Sequence, residues 1–124
     1  MAAVDTSTLI AFIQGDRGPD VEHFEAALAA SDIALPPVVI SELLSEPHLP
    51  PHHRAAVLGL PLLDLPDGYW IRAAATRATL LSKKLRAPLP DTLIAQACID
   101  NDVALITRDA DFRRFAKHCG LKLA

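Results

Sequence analysis

Four carboxylates in this 124-residue chain stand where separate segments could bring them together: Asp5, Glu42, Asp91 and Asp109. Asp5 closes the short apolar run Ala2-Ala3-Val4, and Glu42 is set among Val38, Val39, Ile40, Leu43 and Leu44. Asp91 follows Pro90 and precedes Leu93, Ile94, Ala97 and Cys98, while Asp109 lies just past the apolar run Val103 to Thr107. Carboxylates held together repel one another, so they persist as anions only beside a cation. Oxygen donors without His or Cys partners select Mg²⁺ or Mn²⁺. An ion of that kind activates a water and stabilises a phosphodiester cut in line. Singly, an Asp at a strand-to-helix junction or helix start serves as an N-cap, and Asp5, Asp91 and Asp109 each fit that role. Glu42 does not. In apolar surroundings its charge needs a partner, a metal or a rim position.

The elements that must carry these residues follow from apolar periodicity and from proline and glycine punctuation. Ala2 to Val4 reads as a strand, and Asp5-Thr6-Ser7-Thr8 supplies the N-cap of a helix that stops at Gly15. Asp20 is the expected N-cap of a second helix with Val21, Phe24, Ala27 and Leu28 as its buried stripe. Ile33 to Leu35 is a second strand, and Pro36-Pro37 starts a helix over Val38 to Leu44. Pro47 to Pro51 is a linker, followed by a short helix ending near Gly59 and a third strand over Leu62 to Leu65. The longest helix is expected over Asp67 to Leu85, burying Ile71, Ala74, Ala75, Ala78, Leu81 and Leu85 and exposing Arg72, Thr76, Lys83 and Arg86. A helix opened by Asp91, a fourth strand, a last helix around Phe112, Phe115 and Ala116 and a fifth edge strand at Leu121 to Leu123 complete the chain. Strands alternating with helices mean a parallel sheet covered on both faces, a three-layer α/β/α sandwich of four to five strands. Asp109 then sits past a strand's C-terminal end, where open α/β sheets place their ligands.

Composition narrows the function classes. A hydrophobic content of 51% with 22% charged residues is that of a globular chain, and residues 1–124 read as one domain. No apolar run reaches the length of a membrane span, and the start lacks the basic and apolar regions of a signal peptide. Cys98 and Cys119 lack metal-ligand spacing and read as reduced packing residues of a cytoplasmic protein. Net charge is −3, but residues 1–71 hold ten acidic and two basic residues, and residues 72–124 hold five acidic and ten basic. A chain so polarised carries a basic surface despite its acidic total. His48, His52 and His53 cluster in a proline-rich segment without a matching carboxylate or Cys motif, which reads as an exposed loop. Tyr69 and Trp70, at the start of the long helix, read as core or interface packing. Arg108, beside the acidic turn, suits either contact with a substrate phosphate or pairing with an aspartate. There is no glycine-rich phosphate loop and no Gly-x-Ser-x-Gly elbow.

The blocks Val4-Asp5-Thr6-Ser7, Ser41-Glu42-Leu43-Leu44, Leu89-Pro90-Asp91-Thr92-Leu93-Ile94-Ala95 and Thr107-Arg108-Asp109-Ala110-Asp111-Phe112 together resemble the PIN-domain ribonucleases. They look most like the VapC-type toxins of prokaryotic toxin–antitoxin pairs, in order and over nearly the whole chain. The resemblance implies a sheet ordered 3-2-1-4-5 and a metal-binding quartet of Asp5, Glu42, Asp91 and Asp109. Asp111 matches an additional acidic position, and Ser7 and Thr107 match supporting hydroxyls. It further implies an Mg²⁺- or Mn²⁺-dependent endoribonuclease that leaves a 3′-hydroxyl and a 5′-phosphate. Its expected partners are RNA, a second copy in a homodimer, and a VapB-like antitoxin seated around Phe12, Val38 and Leu44. Two alternatives stay open. One is a PIN scaffold that binds RNA or protein without cutting. The other is a phosphatase, although a nucleophilic aspartate there is usually followed two residues on by a second, and Asp5 is followed by Thr6 and Ser7.

Overall fold

A computed structural model describes all 124 residues. Its centre is β1 (Ala2–Val4), flanked in parallel by β2 (Ile33–Ala34) and β3 (Ala104–Ile106), in the order β2-β1-β3. All of β1 is buried, and its two alanines leave room for helices to approach from both faces. Two further segments extend the sheet by one parallel bridge each: Leu62 beside Leu35, and Leu123 beside Leu105. The Leu35 N–H donates to Pro61 O and the Leu35 carbonyl accepts from Leu63 N–H, both at 2.8 Å, and Leu105 likewise donates to Lys122 O and accepts from Ala124 N–H at 2.9 Å. Counting these two bridges, the order is the expected 3-2-1-4-5. Each outer member pairs through a single residue, and Pro61, with no N–H to donate, precedes Leu62.

The crossovers are helical. α1 (Thr6–Ile13) and α2 (Pro19–Ala29) link β1 to β2, and α3 (Pro37–Leu44) and α4 (Pro51–Leu58) lead to the Leu62 edge. α5 (Tyr69–Ser82) and α6 (Leu89–Asn101) return the chain to β3. A 3₁₀ turn (Ala110–Phe112) and α7 (Arg113–Cys119) finish it. Proline stands in the first two positions of α2, α3, α4 and α6, where its missing N–H costs nothing and its fixed φ favours helix. The result is a three-layer α/β/α sandwich whose core is filled by Leu35, Leu43, Leu80, Leu105, Phe112 and Phe115. α6 runs through it, with Thr92 and Ile94 to Cys98 all buried.

Two expectations from the sequence are corrected. Gly18, not Asp20, is the N-cap of α2, Asp20 lies inside the first turn with its side chain turned elsewhere, and Leu28, expected in the buried stripe, is exposed at the helix's far end. The other concerns α5, which buries the opposite face. Tyr69, Ala73 and Leu80 face the core, while Ile71 is 78% exposed and Ala74, Ala75, Ala78 and Leu81 are also exposed. The reason lies in the polar residues on that side, each of which has a partner. Arg72 pairs with Asp100 (2.7 Å), Thr76 bonds Gln96, Arg77 reaches Ala87 O, and the Tyr69 hydroxyl reaches Leu93 O. Thr76 and Arg77 are half-buried and Arg72 stays exposed; groups so satisfied can turn toward the chain at little cost, and they tie α5 to α6 and its lead-in.

Candidate metal centre

The register that pairs Val4 with Ile106 carries the chain on to Asp5 and Thr107, at the C-terminal ends of two adjacent strands. Connections leave β1 and β3 in opposite directions from there, so this is the crevice of the sheet's switch point. Asp5 is buried and heavily bonded. Its Oδ1 accepts from the Thr8 amide (3.1 Å), and Ser7 Oγ approaches both oxygens (2.9 and 2.8 Å). Thr107 Oγ1 donates to Oδ2 at 2.6 Å from across the crevice. Asp5 therefore is an N-cap, but one oxygen suffices for that and the other faces Thr107. Thr107 Oγ1 in turn accepts from the Asp109 amide (3.0 Å), which fixes the next carboxylate.

Asp109 caps the 3₁₀ turn by accepting from Asp111 N (2.9 Å), which brings Asp111 back beside it. Asp91, in the first turn of α6, completes the group: Asp91, Asp109 and Asp111 each offer a carboxylate oxygen, all within 4.8 Å of one another. Asp111 is thus closer to the centre than its place in the sequence reading suggested. Glu42 is half-buried and anchored by Thr6 Oγ1 (2.8 Å), a partnered position at the edge of its apolar neighbours. Arg108 points away, its guanidinium taken by Asp20 at 2.8 Å. The nearest cation is Arg114, 3.2 Å from Asp111.

Electrostatics distinguishes Asp91 from the rest. Burial, followed by the charges of Asp109, Glu42, Asp111 and Asp5, pushes its carboxyl up to about 6, and no hydrogen bond opposes the shift. The Asp5 carboxyl is also raised, first by burial, against the bonds from Thr107, Thr8 and Ser7. The donor set is oxygen alone, and its least satisfied member has lone pairs to give. This is the chemistry of a hard divalent cation, Mg²⁺ or Mn²⁺, which accepts few protein oxygens and keeps its own waters. His48, His52 and His53 lie in and beside α4, His52 and His53 with rings 4.1 Å apart, and belong to no metal-binding group.

A raised folded-state pKa means protonation favours the fold, so this stability is full below the unfolded value near 3.8 and is lost as pH rises through about 6. In EDTA, the melting temperature of the wild type should fall from pH 4 to pH 7 more than that of Asp91→Asn, and at pH 7.5 the variant should melt at or above the wild type. Thermal unfolding across that range measures both.

A parallel α/β sheet with carboxylates converging at its switch point defines a small class of acidic-centre folds. A PIN-domain family model matches residues 2–118, and the chain belongs to that family. Among solved structures it is similar to a chain in the crystal structure of VapBC2 from Rickettsia felis bound to a DNA fragment from their promoter. The TM-score is 0.76 at 21% sequence identity, over 99% of this chain and 96% of that one. No curated protein matches.

Proposed function

We propose that this chain is a metal-dependent endoribonuclease of the VapC type, a toxin that hydrolyses RNA phosphodiester bonds and is neutralised by a VapB-like antitoxin. The observation that carries the reading is the Asp91, Asp109 and Asp111 group, in which burial first, and then the charges of Asp109, Glu42, Asp111 and Asp5, push the Asp91 carboxyl up to about 6. Asp5, Glu42, Asp91 and Asp109, with Asp111, would hold Mg²⁺ or Mn²⁺. Bound there, the ion supplies a water that is nucleophilic near neutral pH and offsets charge building on the phosphate. Ser7 and Thr107 keep Asp5 oriented, Thr6 does so for Glu42, and the turn at Ala110 holds Asp109. Asp91 is free to exchange its proton for a cation. Such an enzyme acts where its RNA is, in the cytoplasm; no helix here is long and apolar enough to cross a membrane.

The VapBC2 assembly on promoter DNA supports an antitoxin partner. The surface that suits it is an apolar groove between α1, α2 and α4, lined by Leu9, Phe12, Phe24, Leu28 and Val57. Of the three residues around which the antitoxin was expected to sit, Phe12 lines this groove, Val38 lines a separate hollow beside Trp70, and Leu44 lines neither. A homodimer is supported by α5, whose outer face presents Trp70, Ile71, Ala74, Ala78 and Leu81 to solvent. Ile71→Glu should convert a dimer into a monomer in light scattering while leaving the melting temperature nearly unchanged, since its side chain buries little within the chain.

Structured RNA incubated with purified protein tests the activity. Cleavage in Mn²⁺ or Mg²⁺, lost in EDTA and restored by excess ion, is the expected result. RNA that is bound but uncut in every lane favours the second reading, a silent PIN scaffold.

A further inference from the structure

Asp20 is the least explained carboxylate of the molecule. It lies outside the acidic centre, its side chain is only 10% exposed, and three donors converge on it. Arg108 gives Nε to Oδ2 at 2.8 Å and Nη2 to Oδ1 at 3.1 Å, a two-pronged pair, and Thr8 Oγ1 donates to Oδ2 at 2.9 Å. Arg108 Nη2 also reaches Arg17 O at 3.4 Å, in the loop before α2. Gly18 makes room for this. A Cβ there would stand 2.9 Å from Asp20 Oδ1 and 3.3 Å from Arg108 Nη2.

The two residues that Asp20 grips are the ones next to the site. Thr8 is fully buried and its amide holds Asp5, while Arg108 stands between Thr107, whose hydroxyl holds Asp5, and Asp109. The bonds close a ring: Asp5 to Thr8, Thr8 to Asp20, Asp20 to Arg108, along the backbone to Thr107, and back to Asp5. Three elements meet in it, the start of α1, the first turn of α2 and the turn after β3. We infer that Asp20 and Arg108 are positioning residues that fix the spacing between Asp5 and Asp109 across the crevice. An exposed ion pair contributes little. In this one the Asp20 side chain is enclosed while Arg108 stays partly exposed; the pair is forked in geometry and tied to a buried hydroxyl, and Arg108's hydrogen bonds hold the Asp20 carboxyl below its usual range. Its fork is engaged by an aspartate, the second of the two roles its neighbourhood offered.

The inference rests on the metal-centre reading, and the test separates the two. Asp20→Asn, Arg108→Gln and the double variant are compared by amide hydrogen exchange, Mn²⁺ affinity and RNA cleavage. Each single variant should raise exchange at the Thr8 and Asp109 amides at least about tenfold while α5 and α6 stay protected. Mn²⁺ affinity and kcat should each fall about tenfold with KM nearly constant, the low end for groups that orient metal ligands through others. The double variant should be little worse than either single one, because one ring is broken in all three. Wild-type exchange at both amides overturns the inference. So does a raised KM with unchanged Mn²⁺ affinity, which would make Arg108 a phosphate ligand. If the wild type itself binds no Mn²⁺, the metal-centre reading fails, and the exchange data still decide whether the ring orders the crevice.

Discussion

Asp91→Asn and Asp5→Asn, made separately, should each lower RNA cleavage at least about a hundredfold without loss of the fold. The two substitutions reach the same outcome by different routes. Asp91 gives the centre a carboxylate that no protein donor occupies, so an amide removes a ligand charge and breaks no hydrogen bond. Asp5 is held by Ser7, Thr8 and Thr107. Asn keeps the N-cap bond well, but it offers one acceptor where the crevice uses two. Circular dichroism and melting curves check the fold, and gel-resolved cleavage rates check the activity. Cleavage at wild-type rates by both variants would remove these residues from the chemistry.

The largest loss of stability is expected at Phe112. The ring is 1% exposed and lies 5.9 Å from that of the fully buried Phe115. Deleting it leaves a cavity that α7 and the sheet cannot fill, so Phe112→Ala should cost about 3–5 kcal/mol in urea unfolding. Leu58, 54% exposed on α4, is the contrasting site. Leu58→Ala should stay within about 0.5 kcal/mol. Phe112 also follows the turn that carries Asp109 and Asp111, so where its alanine variant still folds, Mn²⁺ binding should weaken as well.

Much of this was written locally in the chain. Proline at the first turns of α3 and α4 marked where those helices begin, and Asp5 and Asp109 announced themselves by following apolar strands. What the sequence hid depended on long-range pairing. α5 is apolar on one face and polar on the other, and burial of the apolar face is the simpler expectation. Asp100, Gln96 and Ala87 O instead supply partners for its polar side, and no pattern within α5 discloses them. The apolar face is left outward, where burial within the chain does not use it. Asp20 was misread for the same reason, since its partners Arg108 and Thr8 lie 88 and 12 residues away. Asp111 looked peripheral because sequence spacing does not reveal that the Asp109 side chain folds the turn back onto it.

The account stands on one centre made by Asp91, Asp109 and Asp111 beside Asp5 and Glu42, and Mn²⁺ binding measured by electron paramagnetic resonance reads it directly. At pH 7.5 the wild type should show saturable binding that weakens as pH falls through about 6, where Asp91 takes up its proton, and Asp91→Asn should bind far more weakly at pH 7.5, with the gap narrowing below pH 6. Absence of saturable binding, or binding by Asp91→Asn equal to that of the wild type, would contradict it.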